Sequence, residues 1–196
     1  LPPLDTLGRG AAAERRREVE RRAAALAKSS DAAELEALRR AAEDPSTPVA
    51  RRADALRVLA RLRRPDLSPA ARAAVLSADP DLARAGVEAA AAVLDEETLL
   101  QACADRRDAV RRLALEALGE VPLRMAIPAL IAALRLPDRD DRYAASISLH
   151  HLTGEGFDFD PEGAASERTE AIRRFERFWR ERGPELYWDA AQRGFR

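Results

Sequence analysis

Apolar stripes at helical period between Asp105 and Leu152 constrain this chain more than any other feature. After Asp105-Arg106-Arg107-Asp108, apolar side chains fall at Val110, Leu113, Ala114, Ala117 and Leu118. Those are positions i, i+3, i+4, i+7 and i+8, one continuous stripe on a helix of about 3.6 residues per turn. Gly119 ends that helix, and a second stripe runs through Leu123, Ala126, Ile127, Leu130, Ile131 and Leu134. Pro137-Asp138 breaks the chain before a third helix through Tyr143, Ala145, Leu149 and Leu152. Hairpins of this kind cannot each bury an apolar face alone, so they must stack on their neighbours.

Composition agrees with an all-α chain. Aromatic residues are 5% of the total, and Ala and Leu, both strong helix formers, carry most of the apolar share. Period-two runs of Val, Ile and Thr are absent, which removes the usual strand signal. Lys28 is the only lysine among 33 basic residues, a preference that reads first as the codon bias of a GC-rich, bacterial genome. The net charge is −1 and both signs are interspersed along the helices, which argues against a polyanion binder with a clustered basic face. Cys103 stands alone, so no internal disulfide and no cysteine metal cluster can form; in a helix beside Leu99, Leu100 and Ala102 it reads as a buried, inert thiol. No apolar run reaches the roughly 18–20 residues of a membrane span, so a soluble protein is expected. The chain begins at Leu1 rather than Met. A leader removed before that point is compatible with the sequence, and the compartment stays open.

In chain order, three parts of one continuous domain are expected. Residues 1–30 form a lead-in to about Gly10 and an N-terminal capping helix whose thin apolar face is Val19, Ala23 and Leu26. Residues 31–154 carry the hairpins, with Ser30-Asp31, Asp79-Pro80 and Asp95 as helix starts and Thr47 as the cap before Pro48. Residues 155–196 form an aromatic loop and a C-terminal capping helix that buries Ile172, Phe175, Phe178 and Trp179. Leu186, Tyr187 and Trp188 would add a last anchor.

Aligning the second helices of the pairs puts Val49, Leu82, Val110 and Asp141 in one column and Ala53, Gly86, Ala114 and Ala145 in another. The small-residue column recurs at 33, 28 and 31 residues, as in an α-solenoid, and is expected to mark close contact between layers. The Trp, Gly and Tyr of the tetratricopeptide consensus are missing.

Asp105 to Gly119 resembles the second-helix half of a HEAT repeat: a turn Asp, then Val110-Arg111, then Ala and Leu at the following turns. Ala126 to Leu134 resembles the first-helix half, with Pro128 in the first turn. The family's turn Asp and helix Arg match at Asp105 and Arg111. In the next unit Arg142 is present but Leu136 replaces the Asp, and in the Asp44 unit Ala50 replaces the Arg, so the family's ladder is incomplete. The loop Thr153-Gly154 to Asp160-Pro161, ahead of an aromatic helix, is similar to the closing segment of some bacterial HEAT-repeat proteins. The resemblance covers about Ala32 to Gly154. It implies an α-solenoid of about four stacked HEAT-like helical hairpins with N- and C-terminal capping helices, and a binding habit rather than a substrate.

In that family the second helices line the inner curve. Arg84 and Glu88 in one unit, and Arg112 and Glu116 in the next, then point away from the core, spaced as i,i+4 ion pairs. Tyr143 and Ile147 occupy the same columns one unit later, where the Phe157/Phe159 loop or a partner should cover them. The expected function is a non-catalytic protein–protein interaction or scaffold module that binds another protein or peptide through these residues. The alternative is a HEAT-like protein that binds nucleic acid or processes DNA bases; the middle repeats lack the aromatics this needs. His150 and His151 diverge by about 100° on a helix, a poor chelating pair. A divalent site completed by Glu155, Asp158 and Asp160 is the minor reading, and an EF-hand loop would need further ligands. No nucleophile–base set and no Gly-rich phosphate loop occurs in recognisable context, so neither catalysis nor a cofactor is expected.

Overall fold

A computed structural model describes residues 4–196. It is all-α: among the described residues are ten α-helices, two single-turn 3-10 helices and one two-stranded ladder. The chain divides into two compact units, Leu1–Val93 and Leu94–Arg196.

The first unit holds α1 (Leu4–Ser29), α2 (Ala32–Glu43), α3 (Val49–Arg61), α4 (Ser68–Val75) and α5 (Pro80–Ala92). Asp31 and Asp79 open α2 and α5, their carboxylates accepting from two first-turn amides each at 2.9–3.1 Å. Hairpins α2–α3 and α4–α5 pack together through α3 on α5, and α1 lies along α3. Val19, Ala23 and Leu26 are buried, as the stripe on α1 requires. Helix α1 starts at Leu4, earlier than expected, because glycine weakens a helix without ending it. Residues 1–3 of the expected lead-in lie outside the described residues.

Two further expectations need correction here. Thr47 does not cap α3; Pro48 is the N-cap, without a side-chain bond, and the Thr47 hydroxyl faces Asp44. Val49, at the open end of that helix, is 39% exposed, although it shares a column with the buried Leu82 and Val110. The small-residue column is buried throughout, but at Gly86 the close approach is to its own hairpin partner. A Cβ there would lie 2.6 Å from the Val75 nitrogen and 2.8 Å from the Ala71 oxygen, both backbone atoms of α4.

The second unit holds α6 (Glu96–Cys103), α7 (Asp108–Leu118), α8 (Ala126–Ala133), α9 (Arg139–Thr153) and α10 (Ala165–Arg182). Asp95 and Asp138 cap α6 and α9, and Pro128 sits in the first turn of α8. Hairpins α6–α7 and α8–α9 pack through α7 on α9 around a core that includes Leu115, Leu118, Ile127, Leu130, Leu149 and Leu152. Helix α10 covers α8. Phe175 is buried and Phe157 meets it edge-on at 4.8 Å, while Phe178 and Trp179 are only half-buried. A short ladder, β1 (Trp188–Asp189) with β2 (Gly194–Phe195), lies against α9. Leu186 anchors this end, whereas Tyr187 is exposed.

Candidate partner-binding grooves

In the second unit, α7 and α9 each present an i,i+4 column to the same groove. Helix α7 supplies Arg112 and Glu116, with Glu120 just beyond its end; α9 supplies Asp140, Tyr143 and Ile147. The groove encloses about 400 Å³. Its floor is the α7–α9 seam, closed by Gly119 against Ser148. A Cβ on Gly119 would fall 2.7 Å from the Ser148 Cβ, so only glycine allows the helices this close. The Ser148 hydroxyl is satisfied by donating to the Leu115 carbonyl at 2.9 Å.

Four residues expected to face a partner (Arg112, Glu116, Tyr143 and Ile147) therefore share one surface. The expected i,i+4 pair does not form. Arg112 turns to the start of α9, with Nη2 3.2 Å from Asp138 and 3.8 Å from Asp140. Its Nε stands 3.6 Å from Asp141 Oδ1, too far for a hydrogen bond, and both buried atoms lack a hydrogen-bond partner. Glu120 meets Arg193 at 2.7 Å and His151 Nδ1 at 3.2 Å. Tyr143 and Ile147 are 58% and 52% exposed. The Phe157 loop does not cover them, because its ring is committed to Phe175 and Phe178.

Beneath this surface lies an ion pair that periodicity did not reveal. Asp141 falls in the column of Leu82 and Val110 and is fully buried, although it is an acidic residue. Arg111 meets it, with Nε donating to Oδ2 at 2.6 Å, and also reaches Asp108 at 2.7 Å. Burial opposes the Arg111 charge, but the hydrogen bonds to Asp108 and Asp141 outweigh it and raise its pKa. The turn Asp of the HEAT resemblance plays a different part. Arg111 takes the backbone carbonyl of Asp105 at 2.8 Å, while the Asp105 carboxylate is held by Arg107 and lowered below its usual range by that bond. A lone acid inside an apolar column, thirty residues after an arginine, was the available signal.

The first unit has its own groove, of about 660 Å³, on α1, α3 and α5. Arg84 and Glu88 both line it, but Glu88 pairs with Arg57 at 3.1 Å rather than with Arg84. Arg57 Nη2 also lies 2.5 Å from Asp81, and Arg15 bridges Asp54 at 2.6 Å and Asp81 at 3.1 Å. The Arg57 hydrogen bond holds the Asp81 carboxyl below the ordinary value, against the opposing effect of burial. Arg16, Arg61 and Arg84 complete the wall. Five guanidinium groups thus converge, interleaved with carboxylates.

Among the described residues, no group of three or more His, Cys, Asp or Glu is placed to hold a metal ion. The Asp158 side chain is exposed and its nearest cation is Arg174 at 3.4 Å; His150 is exposed. Cys103 is half-buried rather than fully buried, and that burial pushes its thiol up to about 12, which makes it a poor nucleophile.

Fold and grooves together define the class: an all-α protein built of packed helical hairpins, with a helix-lined groove in each unit. No family model matches the chain, and no curated protein matches it. A solved crystal structure described as an engineered protein is similar over 78% of this chain and 82% of its own, at 17% identity and a TM-score of 0.44. No helix of the described residues is long and apolar enough to cross a membrane.

Proposed function

We propose that this chain is a HEAT-like α-solenoid of about four hairpins that holds a partner protein and performs no catalysis itself. The repeat reading draws support from the same arrangement in both units, a second helix packed on the next second helix: α3 on α5, and α7 on α9. It also draws support from the wholly buried small-residue column. The docking reading rests on one observation. Tyr143 and Ile147 stand more than half exposed, one turn apart, in a groove with polar walls. A large aromatic and a branched aliphatic side chain left in water beside charged rims support the reading of a protein-binding surface. In the first unit, carboxylates interrupt the arginine cluster, which counts against the nucleic-acid alternative.

The test is a quantitative affinity capture using wild type, Tyr143→Ala/Ile147→Ala and Arg84→Glu/Arg112→Glu, with helicity checked by circular dichroism. Partners lost from folded variants support the docking surface; an unchanged set of partners rejects it. Small-angle scattering tests the architecture, since a solenoid scatters as an elongated particle and a closed bundle as a globular one.

A further inference from the structure

Which partner chemistry suits the α7–α9 groove follows from how its charges are already spent. Three carboxylates line it, on Glu116, Glu120 and Asp140, but Arg193 holds Glu120 at 2.7 Å and Arg139 holds Asp140 at 2.8 Å; the one guanidinium in the lining is that of Arg112. That guanidinium is engaged by Asp138 and Asp140 and is not available to an incoming acid. Glu116 is exposed and makes no ion pair among the described residues. An apolar partner seated on Tyr143 and Ile147 would strip water from Glu116 without replacing it, and an acidic one would add repulsion. A cation resolves both problems.

Resting on the docking reading above, we infer that this groove receives an arginine side chain from a basic peptide segment of the partner protein. The guanidinium stacks on the Tyr143 ring and bonds Glu116, while its aliphatic stem and a flanking apolar residue cover Ile147. Arginine suits the site better than lysine because a planar fork can stack on an aromatic face and bond a carboxylate in two places at once.

The experiment pans a random library of displayed peptides, about twelve residues long, on the full chain and on Glu116→Arg and Tyr143→Ala variants. The inference expects arginine next to an apolar residue to be enriched on wild type and lost on both folded variants. A synthetic peptide from the winning sequence, with citrulline in place of arginine, should bind about 3–10-fold more weakly. Enrichment of acidic or purely apolar peptides, no enrichment at all, or equal binding of the citrulline peptide overturns it. If Tyr143→Ala/Ile147→Ala still abolishes partner capture in that event, the docking surface stands and only the cationic ligand is wrong. Sedimentation of the chain alone covers the remaining occupant: a dimer dissolved by Glu116→Arg would place a second copy in the groove and overturn the assignment.

Discussion

Arg111 on α7 and Asp141 on α9 meet across thirty residues of sequence, Nε to Oδ2 at 2.6 Å, and the carboxylate has no exposure to water. A buried pair adds little net stability over an apolar replacement, but a buried charge left alone is costly. Arg111→Met should therefore destabilise the protein by about 3–5 kcal/mol in urea titrations, less whatever Arg112 recovers from 3.6 Å away. Arg111→Met/Asp141→Leu should recover most of that loss. A double variant no better than the single one would show that the pair does more than cancel charge.

Gly86 and Gly10 separate two uses of glycine inside helices. An added Cβ at Gly86 meets backbone atoms of α4 at 2.6 and 2.8 Å, which no rotamer change can relieve. Gly86→Ala should cost about 1–3 kcal/mol as α5 is forced off α4. Gly10 has nothing within 4 Å of the added atom. Gly10→Ala should be neutral or stabilise by up to about 1 kcal/mol. Thermal melts should show a lower midpoint for Gly86→Ala and an unchanged or higher one for Gly10→Ala.

The acid limb of stability follows from carboxylates held below their ordinary value of 3.8. Asp81 is lowered by its bond from Arg57, Asp105 by Arg107, and Asp138 by the backbone amide of Asp141. The unfolded chain takes up these protons first as pH falls, so the contribution is complete above the unfolded value and is lost on the way down to the folded ones. Urea midpoints should be level from neutral pH to about 5 and decline below about 4. Asp105→Asn should make that decline shallower, and an unaltered slope would remove Asp105 from the account.

Helix existence was legible because each helix carries its own stripe and its own punctuation, as at Asp31, Asp79, Asp95 and Gly119. The columns Arg112/Glu116 and Tyr143/Ile147 were legible for the same reason, since spacing along one helix fixes which side chains share a face. Ion-pair partners were not. Whether Arg112 meets Glu116 or Asp138 depends on how α9 is rotated against α7, and neither helix encodes that alone. Asp141 was assigned to its column by position, and only the neighbouring helix shows why an acidic residue is tolerated there. The β1–β2 ladder, at two residues a side, is too short to show alternation.

Arg142 makes the last case, because its charge is met by carbonyls alone in the bonds it forms. The side chain is buried, Nε and Nη2 both donate to the Pro161 oxygen at 3.0 and 2.6 Å, and Nη1 donates to Leu136 and Pro137 at 3.0 and 2.7 Å. One guanidinium thereby ties the start of α9 to the far end of the loop after Gly154. That loop contains Phe157 and Asp158 in the left-handed region, at φ 45° and 56°, a conformation non-glycine residues hold only when their surroundings enforce it. Phe157 in turn packs on Phe175 and Phe178, so the clamp also positions the aromatic contact with α10. Lysine keeps the charge but has a single nitrogen, which cannot reach carbonyls on both sides. Arg142→Lys should cost about 1–3 kcal/mol. It should also speed hydrogen exchange selectively between residues 155 and 163, with the amides of α6 and α7 unchanged. Wild-type protection across that loop would mean the aromatic packing holds it without the clamp.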